Sequence, residues 1–308
     1  MILVTGGTGF IGSRLVKEML AQGYEVACVC RNNSDFSRVD MVYDQIKWVG
    51  NLESDIESAF QENDIEGVIH CATTYGRKGD EFFPVMEANV IFPLMLLKKA
   101  CVHKAKFFIN TDSFFTRELE GAWKVNQKVY MDSYTKTKYI FRESVRDNIG
   151  NIDVAFVNME LQHIYGGNDA TGKFVEFLTH SLKNNVAEVE LTEGLQGRDW
   201  TYVDDVVSAY ITVLKKSKGF EPYHFYEFEV GTGKETTLRD FCLKMKEQSG
   251  AKTELAFGKR TMNTKELLHS VADNVELVKL GWKPQVDIDE GIRRILKDAD
   301  CISCNTNL

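Results

Sequence analysis

Proline is scarce in this chain, with four residues in 308. None of them cluster into a Pro-rich linker, so nothing marks a hinge between loosely joined domains. No apolar run reaches the roughly 20 residues that a membrane-spanning helix needs, which excludes a transmembrane reading. The opening MILVTGG has no charged n-region and no cleavage site. No signal peptide is read there, and a cytoplasmic location is expected. A basic excess is missing as well: 37 Lys and Arg face 45 Asp and Glu, a net charge of −8. That balance argues against a nucleic-acid binder, although a local basic pocket for a phosphorylated ligand remains compatible with it. The seven cysteines lack the spacing of a disulfide framework. Cys28 and Cys30 alternate in an expected strand and Cys71 and Cys101 sit in apolar surroundings, as reduced core thiols do. Cys301 and Cys304 form a lone C-x-x-C without two further ligands, and no metal site is expected.

Short apolar runs alternate with helical patterns through the first half. Strands are expected at Ile2–Thr5, Glu25–Cys30, Ile46–Val49, Gly67–His70, Lys106–Thr111 and Val154–Asn158, with helices at Arg14–Gln22, Val90–Val102 and Ser133–Asn148. Asp132 or Ser133 would cap the last of these. This order predicts an α/β fold, a Rossmann-type doubly wound parallel sheet. After about residue 160 the alternation loosens, and a smaller α/β C-terminal substrate domain is expected. The boundaries are 1–160 and 161–308, with some exchange of strands and helices. A cleft between the two would be the natural ligand site.

Thr5-Gly6-Gly7-Thr8-Gly9-Phe10-Ile11-Gly12 follows the first strand and opens the first helix. Glycines there allow a tight turn, close approach of backbone to a pyrophosphate, and helix–strand packing. The amides of Phe10, Ile11 and Gly12 would face that anion at the helix N-terminus. A dinucleotide cofactor follows. The second strand ends in Cys30-Arg31-Asn32 without the acid that usually holds an NAD ribose. Arg31 suits the 2′-phosphate of NADP(H), so NADP(H) is preferred and NAD(H) remains open.

Tyr134 and Lys138 stand at i, i+4 on one face of an expected helix. An ammonium beside a phenol favours the phenolate, which makes the tyrosine a usable acid–base group near neutral pH. Thr111 closes the strand KFFINT. The carboxyl ends of such strands are where open α/β sheets bind ligands.

TGGTGFIG, the strand-end threonine and YTKTK, in this order, resemble the extended short-chain dehydrogenase/reductase family, also known as the NAD-dependent epimerase/dehydratase family. VIHCAT (68–73), Asn89, HIYGGND (163–169), GRDWTYVDDV (197–206), VGTG (230–233) and LGWKP (280–284) extend the likeness over almost the whole chain. Through INTDSFF (109–115), TTYG (73–76) and RDWTYVDDVVSAY (198–210) it is most similar to CDP-abequose synthase-like nucleotide-sugar 4-ketoreductases.

The resemblance implies a set of roles. Tyr134 would exchange the proton at the sugar oxygen, Lys138 would bind the nicotinamide ribose and tune Tyr134, and Thr111 would orient the reacting oxygen. Asn51 and Leu52 would flank the adenine, and Cys71, Ala72 and Thr73 would line the cofactor with Asn89 behind them. Arg198 would clamp the substrate diphosphate, and Asp112, His163 and Lys173 are further candidate substrate contacts. His163 reads equally as a hydrogen-bonded structural histidine, and Asp112 as a turn cap. Three departures stand out: Glu160 where relatives carry Arg, Gly167 where they carry Pro, and Ser113 where 4,6-dehydratases need an acid. The implied reaction is reduction of a dTDP- or CDP-linked 4-keto-6-deoxyhexose, a step in deoxysugar supply for surface polysaccharide such as O-antigen. A homodimer through 90–102 and 133–148 would be usual for the family. The rivals are a nucleotide-sugar 4-epimerase and a non-enzymatic NADP-sensing regulator; the intact Tyr134/Lys138 pair speaks against the latter.

Overall fold

The computed structural model describes residues 1–76, 82–117, 132–170, 172–262 and 267–305, with side chains as far as Ala299. Two compact units emerge: Met1–Leu161 with Ala209–Glu229, and Gln162–Ser208 with Val230–Leu308.

The first unit is built on one seven-stranded sheet. Its strands are β1 (Ile2–Thr5), β2 (Val26–Val29), β3 (Lys47–Val49), β4 (Gly67–His70), β5 (Phe107–Ser113), β6 (Ala155–Leu161) and the strand Phe225–Val230. In space they run Phe225–Val230, β6, β5, β4, β1, β2, β3. Neighbours from β3 through β6 pair in parallel. β1, β2 and β4 are buried on both faces, which is why they read as unbroken apolar runs. The order reverses between β1 and β4, and that reversal point is where sheets of this kind open a ligand crevice.

Phe10–Ala21 begins four residues before the expected helix. Its N-cap, Gly9, has no side chain to announce the start. Gly23 closes the turn after it at φ +82°, a conformation that suits glycine. Ser133–Asp147 is capped by Asp132, whose carboxylate accepts from the Thr135 amide at 2.8 Å. The expected Val90–Val102 helix starts earlier. Phe82–Met86 leads into a π-helical stretch, Glu87–Ile91, and then Phe92–Val102. Pro93 sits in the first turn of that last segment and has no N–H to give the carbonyl four residues back. A π segment is one way a helix absorbs such a break.

β5 and β6 also run further than expected, to Ser113 and Leu161. Their ends are polar yet buried. Phe108 and Phe156 stack across the two strands with ring centroids 5.6 Å apart, and Phe225 continues the stack at 5.3 Å from Phe156. Two residues on, Asn110 donates to Asn158 at 2.8 Å, and Asn158 donates to Glu227 at 3.1 Å. Two further on stand Asp112, Glu160 and Glu229. Three strands thus change together from aromatic to polar or acidic along one face, through an amide on β5 and β6 and through Glu227 on the third.

In the second unit, His163–Tyr165 pairs in parallel with Trp200–Tyr202, and Glu188–Leu191 with Glu254–Phe257. Gly197–Arg198 lies between Thr236–Thr237 and His269–Ser270. Asp205 anchors this unit by accepting from the Gln285 and Val286 amides at 2.8 and 2.9 Å. Trp282, 2% exposed, donates from Nε1 to the Asp205 carbonyl and the Ser208 hydroxyl. VDDV and LGWKP are therefore two halves of one packing contact. Among the described residues no helix is long and apolar enough to cross a membrane, and the five described cysteines are free thiols. The side chains of Cys301 and Cys304 lie outside the described residues.

Candidate active site

The glycine loop wraps the end of β1. Gly6 stands at φ +71°, and a Cβ there would lie 2.7 Å from the Ala72 amide nitrogen. At Gly12 a Cβ would lie 2.1 Å from the Gly6 carbonyl oxygen. The Gly9 amide donates back to that carbonyl at 2.9 Å. Bare backbone is thus required on both sides of the turn, and the loop opens directly on the N-terminus of the Phe10–Ala21 helix. Bare backbone at a helix N-terminus fits the pyrophosphate of a dinucleotide.

β4 ends against this cradle. The Cys71 amide donates to the Thr5 carbonyl at 3.1 Å and the Ala72 amide to the Thr5 hydroxyl at 3.2 Å. That hydroxyl also pairs with Nδ1 of His70 at 2.8 Å. Burial, with the Lys138 charge adding to it, holds His70 well below the ordinary imidazole range and keeps it neutral. Asn89 rises from the π segment, 2% exposed. Its amide oxygen accepts from the Thr74 amide at 2.8 Å and the Thr73 hydroxyl at 3.2 Å. Its nitrogen donates to the Thr74 carbonyl and the Thr137 hydroxyl. All of this amide is spent fixing 73–74 to the Tyr134 helix, so Asn89 positions that segment.

Arg31 and Asn32 lie in an exposed turn after β2, where the Arg31 amide donates to the Ser34 hydroxyl at 2.9 Å. Asn51 and Leu52 follow the neighbouring strand β3 and are exposed too. Both pairs leave the sheet at its carboxyl edge, the edge that carries the glycine loop.

Lys138 is 3% exposed and its ammonium donates to the Thr111 carbonyl at 2.6 Å. Burial pulls its pKa down, and Asp112 and Cys71 push it partly back. Tyr134 is half-buried and stacks on Tyr75 with centroids 5.0 Å apart. Burial lifts its phenol above the ordinary value, Tyr75 and Asp112 add to the rise, and a hydrogen bond with the Ser113 side chain opposes it. The Thr111 hydroxyl makes different contacts, to Tyr210 Oη at 2.6 Å and Cys71 Sγ at 3.4 Å.

Asp112 is read from the sequence as a substrate contact or as a turn cap. Successive strand residues face opposite sides of a sheet, so it turns away from Thr111, and it accepts from the Thr116 hydroxyl at 3.4 Å, as a turn cap does. It is 1% exposed, accepts from Asn158 at 3.0 Å and lies 3.7 Å from the Arg142 guanidinium. Its place is structural.

In the second unit, Arg198 is 3% exposed and donates to the Gly197 carbonyl at 2.8 Å. Asp199 beside it accepts from the Thr232 amide, the Thr232 hydroxyl and the Gly233 amide at 2.6–2.8 Å. The aspartate of GRDW thus ties down VGTG, and this fixes the strand that carries Arg198. The His163 ring lies 5.6 Å from Trp200, and its backbone amide donates to the Asp199 carbonyl. Its pKa is lowered to about 3 by burial, with Arg198 and Lys173 adding to the effect. The field of two cations therefore falls on one neutral imidazole. Among the described residues no group of His, Cys, Asp and Glu could hold a metal ion.

A model of the "NAD dependent epimerase/dehydratase family" matches residues 2–231. The chain belongs to that family. It is 34% identical over 304 residues to CDP-abequose synthase of Salmonella typhimurium, covering 96% of this chain and 97% of that protein. It is 22% identical over 324 residues to dTDP-4-dehydro-6-deoxyglucose reductase of Escherichia coli, covering 97% and 98%. The structure of UDP-glucose 4-epimerase of Thermotoga maritima with UDP-glucose superposes with a TM-score of 0.80 at 23% identity, covering 98% of this chain and 99% of that one. As a member of the epimerase/dehydratase family the chain is an enzyme of the NAD(P)-dependent oxidoreductase type.

A cluster of buried acids stands at the ends of β5, β6 and Phe225–Val230. Glu160, 1% exposed, contacts Arg117 and lies 3.7 Å from Arg142, and Arg117 also contacts Glu229. Burial pushes the Glu160 carboxyl up to about 8; Arg117 opposes the rise, while Asp112, Glu227 and Glu229 add to it. The folded protein therefore holds a proton that the unfolded chain, with an ordinary value of 4.5, has already released. The resulting stabilisation is full below about pH 4.5 and is lost as pH rises through about 8. Urea unfolding at a series of pH values should show Glu160→Gln flattening this fall, whose slope is at most about 1.4 kcal/mol per pH unit. Equal slopes in both proteins would assign the proton to another group.

Sequence reasoning noted Ser113 only as a departure, carried Asp199 and Tyr210 only inside motifs, and gave none of the three a contact. Strand alternation placed Ser113 on the face of Thr111 and was available as a signal. Tyr210 approaches Thr111 from 99 residues away, and no local pattern reports that.

Proposed function

We propose that this enzyme reduces the C4 ketone of a nucleoside-diphosphate 4-keto-6-deoxyhexose, with NADPH as the preferred reductant. The observation that carries the reading is the 34% identity to CDP-abequose synthase across 96% of the chain. Gly6, Gly9 and the amides of Phe10, Ile11 and Gly12 would hold the pyrophosphate of the cofactor. Cys71, Ala72 and Thr73 would line it, Asn51 and Leu52 would flank its adenine, and Arg31 would meet a 2′-phosphate. The nicotinamide, when bound, supplies the hydride. Tyr134 gives its phenolic proton to the nascent C4 alkoxide, and the Lys138 ammonium favours the phenolate that remains.

The second unit is read as the nucleotide-sugar-binding part. Arg198 and Lys173 would hold the diphosphate, for which a guanidinium fork and an ammonium are suited. His163, kept neutral, would serve as a hydrogen-bonding partner. Ser113 stands where elimination needs an acid, so dehydration is disfavoured.

Incubation with NADPH and CDP-, dTDP- and GDP-linked 4-keto-6-deoxy sugars tests the reading. One NADPH should be consumed per ketone, by nicotinamide absorbance and product NMR, and the protein should purify without stoichiometric NAD. Tightly held NAD, with interconversion of UDP-glucose and UDP-galactose and no net cofactor use, would establish a 4-epimerase instead. In the same assay Arg31→Asp should reverse the preference for NADPH over NADH, measured as the ratio of kcat/KM values. A ratio unmoved by the substitution would remove Arg31 from the cofactor site.

A further inference from the structure

The segment after β4 is seated on the Tyr134 helix at three successive points. Asn89 bonds both ways to the Thr74 backbone and donates to the Thr137 hydroxyl at 3.0 Å. Tyr75 lays its ring on that of Tyr134, with centroids 5.0 Å apart and planes inclined by 30°. Gly76 stands at φ +64°, and a Cβ there would lie 3.2 Å from the Ser133 Cβ and 3.2 Å from a Val85 methyl. Glycine thus lets the chain turn close against the first residue of the helix. Tyr75 is exposed, so burial in the core does not account for its place. The clamps on either side of it do.

We propose that Tyr75 is a positioning residue, whose stacked ring holds Tyr134 in place as the neutral proton donor of the reduction. The assignment rests on the reading of Tyr134 as that donor. An aromatic ring presents a negative face. A neutral phenol stacks on it favourably, whereas a phenolate is repelled. Tyr75 accordingly stands among the groups that lift the Tyr134 phenol, after burial and ahead of Asp112 and Asp132. Tyr210 faces the same phenol, Lys138 lies one turn along the helix, and Glu87 and Arg117 stand on elements packed against that helix. In turnover the Tyr134 O–H bond breaks as the C4 O–H bond forms. Water then returns a proton to a phenolate that the stack disfavours.

The test places a fluorinated tyrosine, intrinsically more acidic, at position 134 of the full chain. Its titration is followed by fluorine NMR, with and without NADP+. Tyr75→Leu, which keeps apolar cover and removes the ring, should lower the midpoint by about half a unit to one unit, the equivalent of one aromatic pair. Tyr75→Phe, which keeps the ring, should leave the midpoint in place. With NADPH and a 4-keto sugar, the alkaline fall of kcat/KM should move to lower pH by the same amount in Tyr75→Leu alone. A midpoint unmoved or raised by Tyr75→Leu overturns the assignment, as does one that Tyr75→Phe lowers equally. An alkaline fall that stays in place while the midpoint moves overturns it too, because the stack would then not act on the donor. The NMR reading needs no sugar substrate, so it stands or falls separately from the proposed reduction.

Discussion

Tyr134→Phe is expected to lower kcat by about 10²–10⁴ while leaving cofactor affinity within a few-fold of the wild type. The substitution removes one oxygen and retains the ring that stacks on Tyr75. Packing and the cradle around Gly6 and Gly12 therefore persist, and the lost quantity is the proton delivered to the alkoxide. Because burial raises the phenol, the wild-type residue is protonated across the neutral range, as a donor must be. The check is kcat and KM with NADPH and a 4-keto sugar, alongside a fluorescence titration of NADPH. Turnover near that of the wild type would remove Tyr134 from the acid role, and the reaction would need another donor.

Gly12→Val should be nearly as damaging by a different route. The Cβ of any residue at this position would meet the Gly6 carbonyl at 2.1 Å, and backbone cannot yield as a flexible side chain can. The helix Phe10–Ala21 must then retreat from the loop that it closes. Overpacking of this kind costs about 1–3 kcal/mol. Since the displaced atoms are the anion-facing amides, the same distortion should weaken NADPH binding by about a hundredfold, the equivalent of about 2.8 kcal/mol. Gly150→Ala is the matched control, because a Cβ there meets nothing within 4 Å. Calorimetry for Tm and fluorescence for affinity should separate the two variants. A Gly12→Val protein that binds NADPH normally would show that the cradle does not hold the cofactor.

The parts legible in the sequence are those where local chemistry and burial agree. β1 and β4 are short apolar runs in a sheet buried on both faces, and their bounds follow directly. Asp132 announces a helix in the ordinary way, through a short carboxylate that caps a backbone amide. Elsewhere the signal is absent or inverted. Gly9 caps its helix without a side chain, so the start reads late. Glu53–Glu62 shows only Ile56, Ala59 and Phe60 as a buried stripe among polar residues, too sparse a pattern to register beforehand. The sequence reading ends β6 at Asn158, although the strand continues, buried, through Glu160 to Leu161. Asp112 looks like part of a site because it follows Thr111 in sequence, and strand alternation sends it to the other face. Tyr210 closes the segment RDWTYVDDVVSAY, but nothing local in that segment reports its contact with Thr111.

The aromatic-to-acid progression along β5, β6 and Phe225–Val230 has a consequence for how the strands find their alignment. A parallel strand made only of apolar residues can slide past its neighbour at little cost, since each slipped pairing still buries hydrocarbon. Here Phe108 meets Phe156, Asn110 meets Asn158 and Asp112 meets Glu160 in register. Sliding one strand by a single residue would turn Asp112 or Glu160 to the opposite face, away from Arg142 on the covering helix and from Arg117. A buried carboxyl group stripped of its hydrogen-bonding and guanidinium partners costs about 1–3 kcal/mol. Misaligned pairings are thereby penalised far more than the aligned one is rewarded. The buried acids work as a keyed edge, admitting one assembly of the sheet end from which Thr111 and Ser113 project.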